Sequence, residues 1–166
     1  MYYEVASWLP KSNFDFFAGS GFLKTNKTYD GKDAPELFPI FEQAGYTLAR
    51  GVNEYKAKRD GAKKMILMEK ADADQGSLRY AIDRQPGDLT LAEITESAID
   101  FLMKENATKG FYLMIEGGKI DWASHANDAA TMVKELEDMD NAVKVAYEFY
   151  KKHPKETLIV ITADHE

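Results

Sequence analysis

The order of apolar and polar positions along the chain predicts strands that alternate with helices. Short apolar runs at residues 14–18, 46–49 and 64–68 have the length of strands and are bounded by glycine or charged residues. Between them, apolar residues at one-turn spacing predict a helix over residues 36–44, and a short charged helix is expected near residues 53–58. This alternation is typical of an α/β fold, in which helices cover both faces of a mostly parallel sheet.

A helix start is written into the sequence at Thr90-Leu-Ala-Glu93. In such a capping box the Thr90 hydroxyl accepts from the backbone N–H three residues on, and the Glu93 side chain reaches back to the first residue. The preceding residues 70–88 are rich in aspartate, glycine and proline, and they predict a long loop. The helix that follows has a periodic apolar side, which predicts burial of Leu91, Ile94, Ala98, Phe101 and Leu102.

The last third of the chain predicts a strand–helix–strand unit. The continuous apolar runs at residues 111–115 and 158–161 predict strands covered on both faces, and a loop is expected over residues 116–127. A crossover through one helix places two such strands parallel in one sheet. The helix between them has apolar residues at spacings of 4, 3, 4, 3 and 4, which predicts a buried stripe of Met132, Leu136, Met139, Val143, Ala146 and Tyr150.

Composition narrows the class of protein. The 166 residues carry 28 acidic and 21 basic side chains, a net charge of −7, so we expect no nucleic-acid partner. The absence of cysteine excludes disulfides, thiolate metal sites and a cysteine nucleophile. No apolar run reaches the about 20 residues of a membrane span, and residues 1–5 lack the basic-then-apolar order of a signal peptide. Without repeats or a linker, the pattern predicts one domain over residues 1–166.

Two Asp/His pairs follow the two apolar runs of that last unit. Asp121 and His125 are four residues apart and would share one face of a helical turn, and Asp164-His165 comes directly after the second run. A carboxylate and an imidazole on one face are ligands that zinc and similar divalent ions prefer. If both runs are parallel strands, the two pairs meet at one end of the sheet. The alternative is a non-catalytic α/β binding domain, in which these polar residues only cap strand ends and begin helices.

The sequence around these Asp/His pairs resembles that of a known family. Residues 110–125 read GFYLMIEGGKIDWASH and residues 162–165 read TADH. This is similar to the alkaline phosphatase pattern GFF-x-x-VEG-x-x-ID-x-x-x-H followed by TADH. The likeness is specific over residues 110–166 and colinear but weaker over residues 14–109. It implies a three-layer α/β/α domain with a mostly parallel sheet, present here in part.

The resemblance also implies a set of metal ligands and a reaction. By its pattern, Asp121 and His125 would bind a first zinc ion, Asp164 and His165 a second, and Glu116 a magnesium ion. The implied activity is hydrolysis of phosphate monoesters by a hydrolase that is periplasmic or secreted. Related phosphodiesterases, sulfatases and phosphomutases share the D-x-x-x-H and DH elements, so they stay open as alternatives.

The chain departs from the family pattern at the nucleophile. The family's catalytic serine lies in a D-S-A-x-A motif, and no serine of this chain has that context. Ser20, between two glycines, resembles a structural turn, and Trp122 stands where some members carry a lysine or histidine. We therefore expect no catalytic residue in these 166 residues and no useful hydrolysis by the chain alone. An unpaired edge strand also predicts a homodimer or larger assembly.

Overall fold

The computed structural model describes residues 2–70, 76–106 and 108–163, and it contains a three-stranded parallel sheet. The strands are β1 (Phe16–Gly19), β2 (Tyr46–Arg50) and β3 (Lys64–Met68), in the spatial order β1-β3-β2. Ala18 lies opposite Leu67 in one ladder, and Leu48 lies opposite Ile66 in the other. The three apolar runs of the first half are therefore confirmed as strands.

Helices connect and flank the strands. The chain passes from β1 to β2 through α3 and from β2 to β3 through α4, as the sequence predicts. Within the predicted loop that follows residue 115, the structure instead has a two-turn helix, α6. The helices are α1 (Tyr2–Ser7), α2 (Leu9–Ser12), α3 (Leu37–Gln43), α4 (Gly51–Lys58), α5 (Leu91–Asn106), α6 (Lys119–His125) and α7 (Ala129–Lys152), with 3₁₀ turns at Arg59–Gly61 and Ala81–Asp83.

The central strand β3 is buried on both faces. Met65 and Leu67 pack with α4 and α5 on one side of the sheet, and Ile66 and Met68 pack with α1 and α3 on the other. Successive side chains of a strand point to opposite faces, so one apolar strand can supply two cores. The result is the predicted three-layer α/β/α arrangement around a parallel sheet.

Side-chain caps fix the starts of the two long helices. At α5, Thr90 Oγ1 accepts from the Glu93 backbone N–H at 3.0 Å, and the Glu93 carboxylate accepts from the Thr90 N–H at 2.9 Å. This confirms the capping box. At α7, the Asp128 carboxylate accepts from the Thr131 backbone N–H at 3.0 Å. Both helices thus satisfy backbone donors that have no partner inside the helix.

The two strands predicted in the last third of the chain are wrong in this structure. Residues 111–115 and 158–161 are not assigned to a strand, and no described strand pairs with them. Tyr112 is 80% exposed and Leu158 is 86% exposed. An apolar run predicts that side chains avoid water, but a strand also needs a neighbour for its backbone hydrogen bonds. The expected place of these two runs in the parallel sheet is therefore not found among the described strands.

The buried face of α7 also differs from the predicted apolar stripe. Leu136 is 53% exposed, whereas the positions buried on α7 are Thr131, Glu135, Asp138 and Ala142. Each buried position is one residue earlier than the predicted one, so the buried face is offset from the predicted stripe. The buried face packs on α5 and α6, and its polar residues bind the segment before α5. Neither α7 nor any other helix in the described ranges is long and apolar enough to cross a membrane.

Candidate functional site

Helix α6 presents Asp121 and His125 on one face, as their spacing predicts. The helix begins after Gly118 and ends at His125, so the two residues lie one turn apart. His125 Nε2 is 3.2 Å from Asp121 Oδ1. The imidazole is largely exposed, whereas about two thirds of the Asp121 side chain is covered. A carboxylate oxygen and an imidazole nitrogen are thus held side by side at the surface.

Two glycines explain how the chain turns into α6. A Cβ on Gly117 would lie 3.1 Å from Ile120 Cδ1 and 3.5 Å from Met139, so the loop packs closely on α7 there. A Cβ on Gly118 would lie 3.0 Å from Glu116 Oε1. Glycine at both positions therefore lets the Glu116 carboxylate fold back over the loop.

Glu116 and Asp121 line one cleft, which we call the Glu116 cleft. It has a volume of about 340 Å³ and is bordered by Gly19 and Ser20 at the carboxyl end of β1. Two of the predicted metal ligands are therefore brought together beside the end of a parallel strand, where ligands of α/β proteins commonly bind. His125 contacts Asp121 but is not among the residues that line the cleft. The predicted ligands Asp164 and His165 lie outside the described residues.

The lining of the Glu116 cleft also includes largely buried charged residues that the sequence analysis missed. Arg84 donates from Nη1 and Nη2 to the two oxygens of Asp138, at 2.9 and 2.7 Å. Glu135, one turn earlier on α7, accepts from the Ala81 backbone N–H at 2.5 Å. These bonds hold the segment before α5 against α7. The spacing of Glu135 and Asp138 by three residues was the available signal, since it places both on one helix face.

Lys119 is a second feature that the sequence analysis missed. Only 9% of Lys119 is exposed, and its ammonium lies 3.8 Å from the centre of the Tyr80 ring and 5.3 Å from that of Trp122. Such contacts are attractive because the face of an aromatic ring is electronegative. A cation is therefore enclosed by aromatic rings on the first turn of the helix that carries Asp121.

The Asp121/His125 pair fits a divalent metal ion as two of its ligands. Zinc binds imidazole nitrogen and carboxylate oxygen at about 2.0–2.2 Å, so two tetrahedral ligands of one ion lie roughly 3.3 Å apart. The observed separation is 3.2 Å. Within residues 2–70, 76–106 and 108–163, no group of three or more His, Asp or Glu side chains is arranged to hold an ion. The described part of the chain thus supplies a pair of ligands, with Glu116 nearby.

Comparison with known proteins places this chain in a family. The family model described as alkaline phosphatase matches residues 15–166. The chain is 38% identical over 155 residues to alkaline phosphatase 4 of Bacillus subtilis, covering 93% of this chain and 31% of that protein. It is 45% identical over 76 residues to alkaline phosphatase of Escherichia coli, covering 46% of this chain and 16% of that protein. The chain therefore spans about a third or less of the length of these relatives.

Solved structures of alkaline phosphatases share the fold of this chain. Alkaline phosphatase from the Antarctic bacterium TAB5 superposes with a TM-score of 0.73 at 29% identity, covering 90% of this chain and 41% of that one. A TAB5 variant described with Mg bound gives 0.71 at 30% identity, covering 90% and 40%. The Thermus thermophilus enzyme gives 0.72 at 26% identity, covering 91% and 31%. By sequence and by fold, this chain belongs to the alkaline phosphatase family.

Proposed function

We propose that the protein acts as a metal-dependent phosphomonoesterase whose metal centre includes Asp121 and His125. The observation that carries this proposal is the 3.2 Å approach of His125 Nε2 to Asp121 Oδ1, on a helix whose sequence matches the family pattern. The proposed substrates are phosphate monoesters, and the proposed location of the whole protein is periplasmic or secreted. The family membership supports the hydrolase class but leaves the metal set as part of the proposal.

The proposed ligand set follows the resemblance residue by residue. Asp121 and His125 serve a first zinc ion, Asp164 and His165 a second, and Glu116 a magnesium ion. When bound, the metal ions supply Lewis acidity that activates a serine nucleophile and stabilises the leaving oxygen of a phosphate ester. Glu116 and Asp121 already face one cleft beside β1, which supports a shared centre.

The protein side of the site is preorganised by its surroundings. The glycine pair lets Glu116 reach into the cleft, and the α6 helix fixes the relative direction of Asp121 and His125. The Arg84–Asp138 pair fixes another part of the lining. A metal site held by rigid elements keeps its ligands in place without a large ordering cost.

A zinc titration tests the proposal. The 166-residue chain is titrated with zinc in a competition assay, beside Asp121→Asn, His125→Asn and the control Asp140→Asn. Asp140 is an exposed carboxylate of α7 that pairs with Lys144 at 2.8 Å. We expect the first two variants to lose at least about tenfold in affinity, because each removes one ligand, and the control to bind like the parent. Equal binding by all four proteins would contradict the metal assignment.

An activity assay tests the second half of the proposal. None of the serines has the family's nucleophile context, so we propose that the 166-residue chain alone hydrolyses an activated aryl phosphate far more slowly than a full-length relative with the same metals. Turnover within about tenfold of that relative would contradict the expectation that this chain lacks the groups needed for hydrolysis. An aryl sulfate assayed in parallel on the same proteins separates the phosphatase from the sulfatase alternative.

A further inference from the structure

A second cleft lies beyond the carboxyl ends of all three strands, and we call it the Arg50 cleft. Its volume is about 330 Å³, and its lining includes Ser20 after β1, Arg50 at the end of β2 and Met68 at the end of β3. The chain leaves β1 toward α3 on one face of the sheet and leaves β3 toward α5 on the other. Because β1 and β3 are neighbours, their connections diverge and open a crevice, the usual ligand position in parallel sheets.

Among the described residues that line the Arg50 cleft, the charged side chains are of one sign. Arg50 and Lys24 line it, and none of its described lining residues is acidic. The nearest acid along the chain, Glu54, is engaged elsewhere, since its carboxylate accepts from Lys58 Nζ at 2.8 Å and from the Arg50 backbone N–H at 3.2 Å. The Arg50 guanidinium itself makes one long bond, at 3.4 Å, to the backbone oxygen of Glu69. Toward the residues that the structure describes, most of its donors thus stay available to an anion.

Ser20 adds a polar group that the fold does not use. The residue is 4% exposed, and its Oγ has no hydrogen-bond partner among the described residues. A buried hydroxyl without a partner is destabilising, because it has lost its hydrogen bonds to water. Ser20 borders the Arg50 cleft, so a rotation about its Cα–Cβ bond can direct the hydroxyl toward an acceptor bound there.

The remaining wall is aromatic. Phe22 and Phe38 line the cleft, with ring centres 6.3 Å apart and ring planes at 74°. The Arg50 guanidinium lies 5.7 Å from the centre of the Phe38 ring, which holds the cation beside the apolar wall. The volume lies at the lower end of the range for small-molecule sites, where a few polar groups on an apolar lining set the orientation of the ligand.

We propose that the Arg50 cleft, which shares Ser20 and Gly76 with the lining of the Glu116 cleft, is a binding site for a small aromatic oxyanion that does not use the proposed metal ligands. Arg50 and Lys24 neutralise the phosphate or carboxylate group, Ser20 donates to one of its oxygens, and the ring packs on Phe22 and Phe38. Guanidinium–oxyanion hydrogen bonds are among the strong ones in proteins, and the rings select a ligand with an apolar body over a bare ion. The site requires neither Asp121 nor His125.

Binding in the absence of metal tests this site separately from the proposed function. The 166-residue chain in EDTA is titrated with phenyl phosphate, benzoate, inorganic phosphate and phenol by calorimetry. We expect both aromatic anions to bind, phenol to bind at least about tenfold more weakly and inorganic phosphate to bind more weakly than phenyl phosphate. Asp121→Asn keeps this binding even if it abolishes zinc binding. Phenol binding as tightly as phenyl phosphate would overturn the anion site.

Three variants locate the binding. Arg50→Met is expected to weaken phenyl phosphate binding roughly tenfold or more, and Lys24→Met by a smaller factor because Lys24 is exposed. The matched control is Lys32→Met. Lys32 is an exposed lysine of the same loop, and its ammonium pairs with Asp30 at 2.5 Å. Ser20→Ala is expected to leave the thermal midpoint of the free chain unchanged or higher, since the Ser20 hydroxyl has no described hydrogen bond to lose. The same variant is expected to bind phenyl phosphate more weakly. Lys24 is at the surface, so its variant folds even if Arg50→Met does not, and unchanged affinity in Lys24→Met and Ser20→Ala would refute the assignment.

Discussion

At the scale of single residues, the buried Arg84–Asp138 pair is a two-bond contact between opposite charges beside the candidate site. Its side chains are 16% and 10% exposed, and Asp138 also accepts from the Leu91 backbone N–H at 3.3 Å. The pair therefore joins the segment before α5, the first turn of α5 and α7. Because burial of both charges is costly, the attraction between them adds little net stability. The pair matters mainly because it fixes how these elements are positioned relative to one another.

Removal of one partner of the Arg84–Asp138 pair is expected to lower the stability of the fold strongly. Asp138→Asn leaves the Arg84 guanidinium buried without its counter-charge, so we predict a loss of about 3–5 kcal/mol in the free energy of unfolding. The matched control is Asp140→Asn, which breaks an exposed pair with Lys144 and is expected to change it by less than about 1 kcal/mol. Urea denaturation followed by circular dichroism measures both. Equal effects of the two variants would show that the buried pair is not essential to α7 packing.

The capping hydroxyl of Thr90 makes a second prediction at this scale. Thr90→Val removes the acceptor of the Glu93 N–H, and we expect a loss of about 1 kcal/mol in stability. Thr157→Val is the matched control, because the Thr157 hydroxyl is buried and has no described hydrogen-bond partner. That change is expected to be neutral or stabilising. The prediction fails if Thr157→Val costs as much as Thr90→Val in the same denaturation series.

At the scale of elements, a single phenol joins α4 to α5. Tyr55 Oη donates to Asp100 Oδ2 at 2.7 Å and lies 2.8 Å from the Ser97 backbone oxygen, and its ring packs edge-on against Phe16 of β1. Burial raises the pKa of Tyr55 well above its usual value of 10.0, and the Asp100 carboxylate raises it further. The phenol is thus held neutral where the unfolded chain would ionise it.

This shift makes stability depend on pH in the alkaline range. Above about pH 10 the unfolded chain loses the Tyr55 proton while the folded chain keeps it, so the free energy of unfolding falls as pH rises, by up to about 1.4 kcal/mol per pH unit. Tyr55→Phe is expected to be less stable at pH 8, by about 1 kcal/mol, and to lose less stability between pH 9 and 11. Parallel slopes for the two proteins in urea denaturation would contradict the shift.

At the scale of the whole molecule, apolar side chains are left uncovered along the last third of the chain. Tyr112 and Met114 are exposed near α6, and Leu158, Val160 and Ile161 are exposed after α7. On α7, Val133, Leu136 and Tyr147 are also about half exposed. Apolar extended segments without a strand partner favour pairing with another chain.

We therefore predict that the 166-residue chain self-associates as its concentration rises. The double variant Leu158→Asp, Val160→Asp places charge on two exposed positions and is expected to shift the population toward monomer in sedimentation velocity. The control Val5→Asp alters a similarly exposed apolar residue on α1 and is expected to leave the association unchanged. A parent chain that stays monomeric at high concentration would refute the prediction.

Much of the fold follows from local sequence signals. Three features are specified by residues close together in the sequence. They are the strand β3, the helix start at the Thr90–Glu93 box, and the shared helix face of Asp121 and His125. The polar face of α7 could not be predicted in this way. Glu135 and Asp138 are buried because Ala81 and Arg84 meet them from about fifty residues away, and no local pattern contains that partner.

The sequence by itself determined the family, the α/β layering and the identity of the candidate metal ligands, because these depend on residue type and short-range spacing. Tertiary structure alone decided that Glu116 and Asp121 share a cleft with Ser20, and that Arg50 and Lys24 line a second cleft without an acidic neighbour in its described lining. It also decided that residues 111–115 and 158–161 are not strands of the sheet. The physical reason is the same in each case: a cleft or a sheet requires partners from distant parts of the chain, and apolarity or charge at one position does not specify which partner arrives.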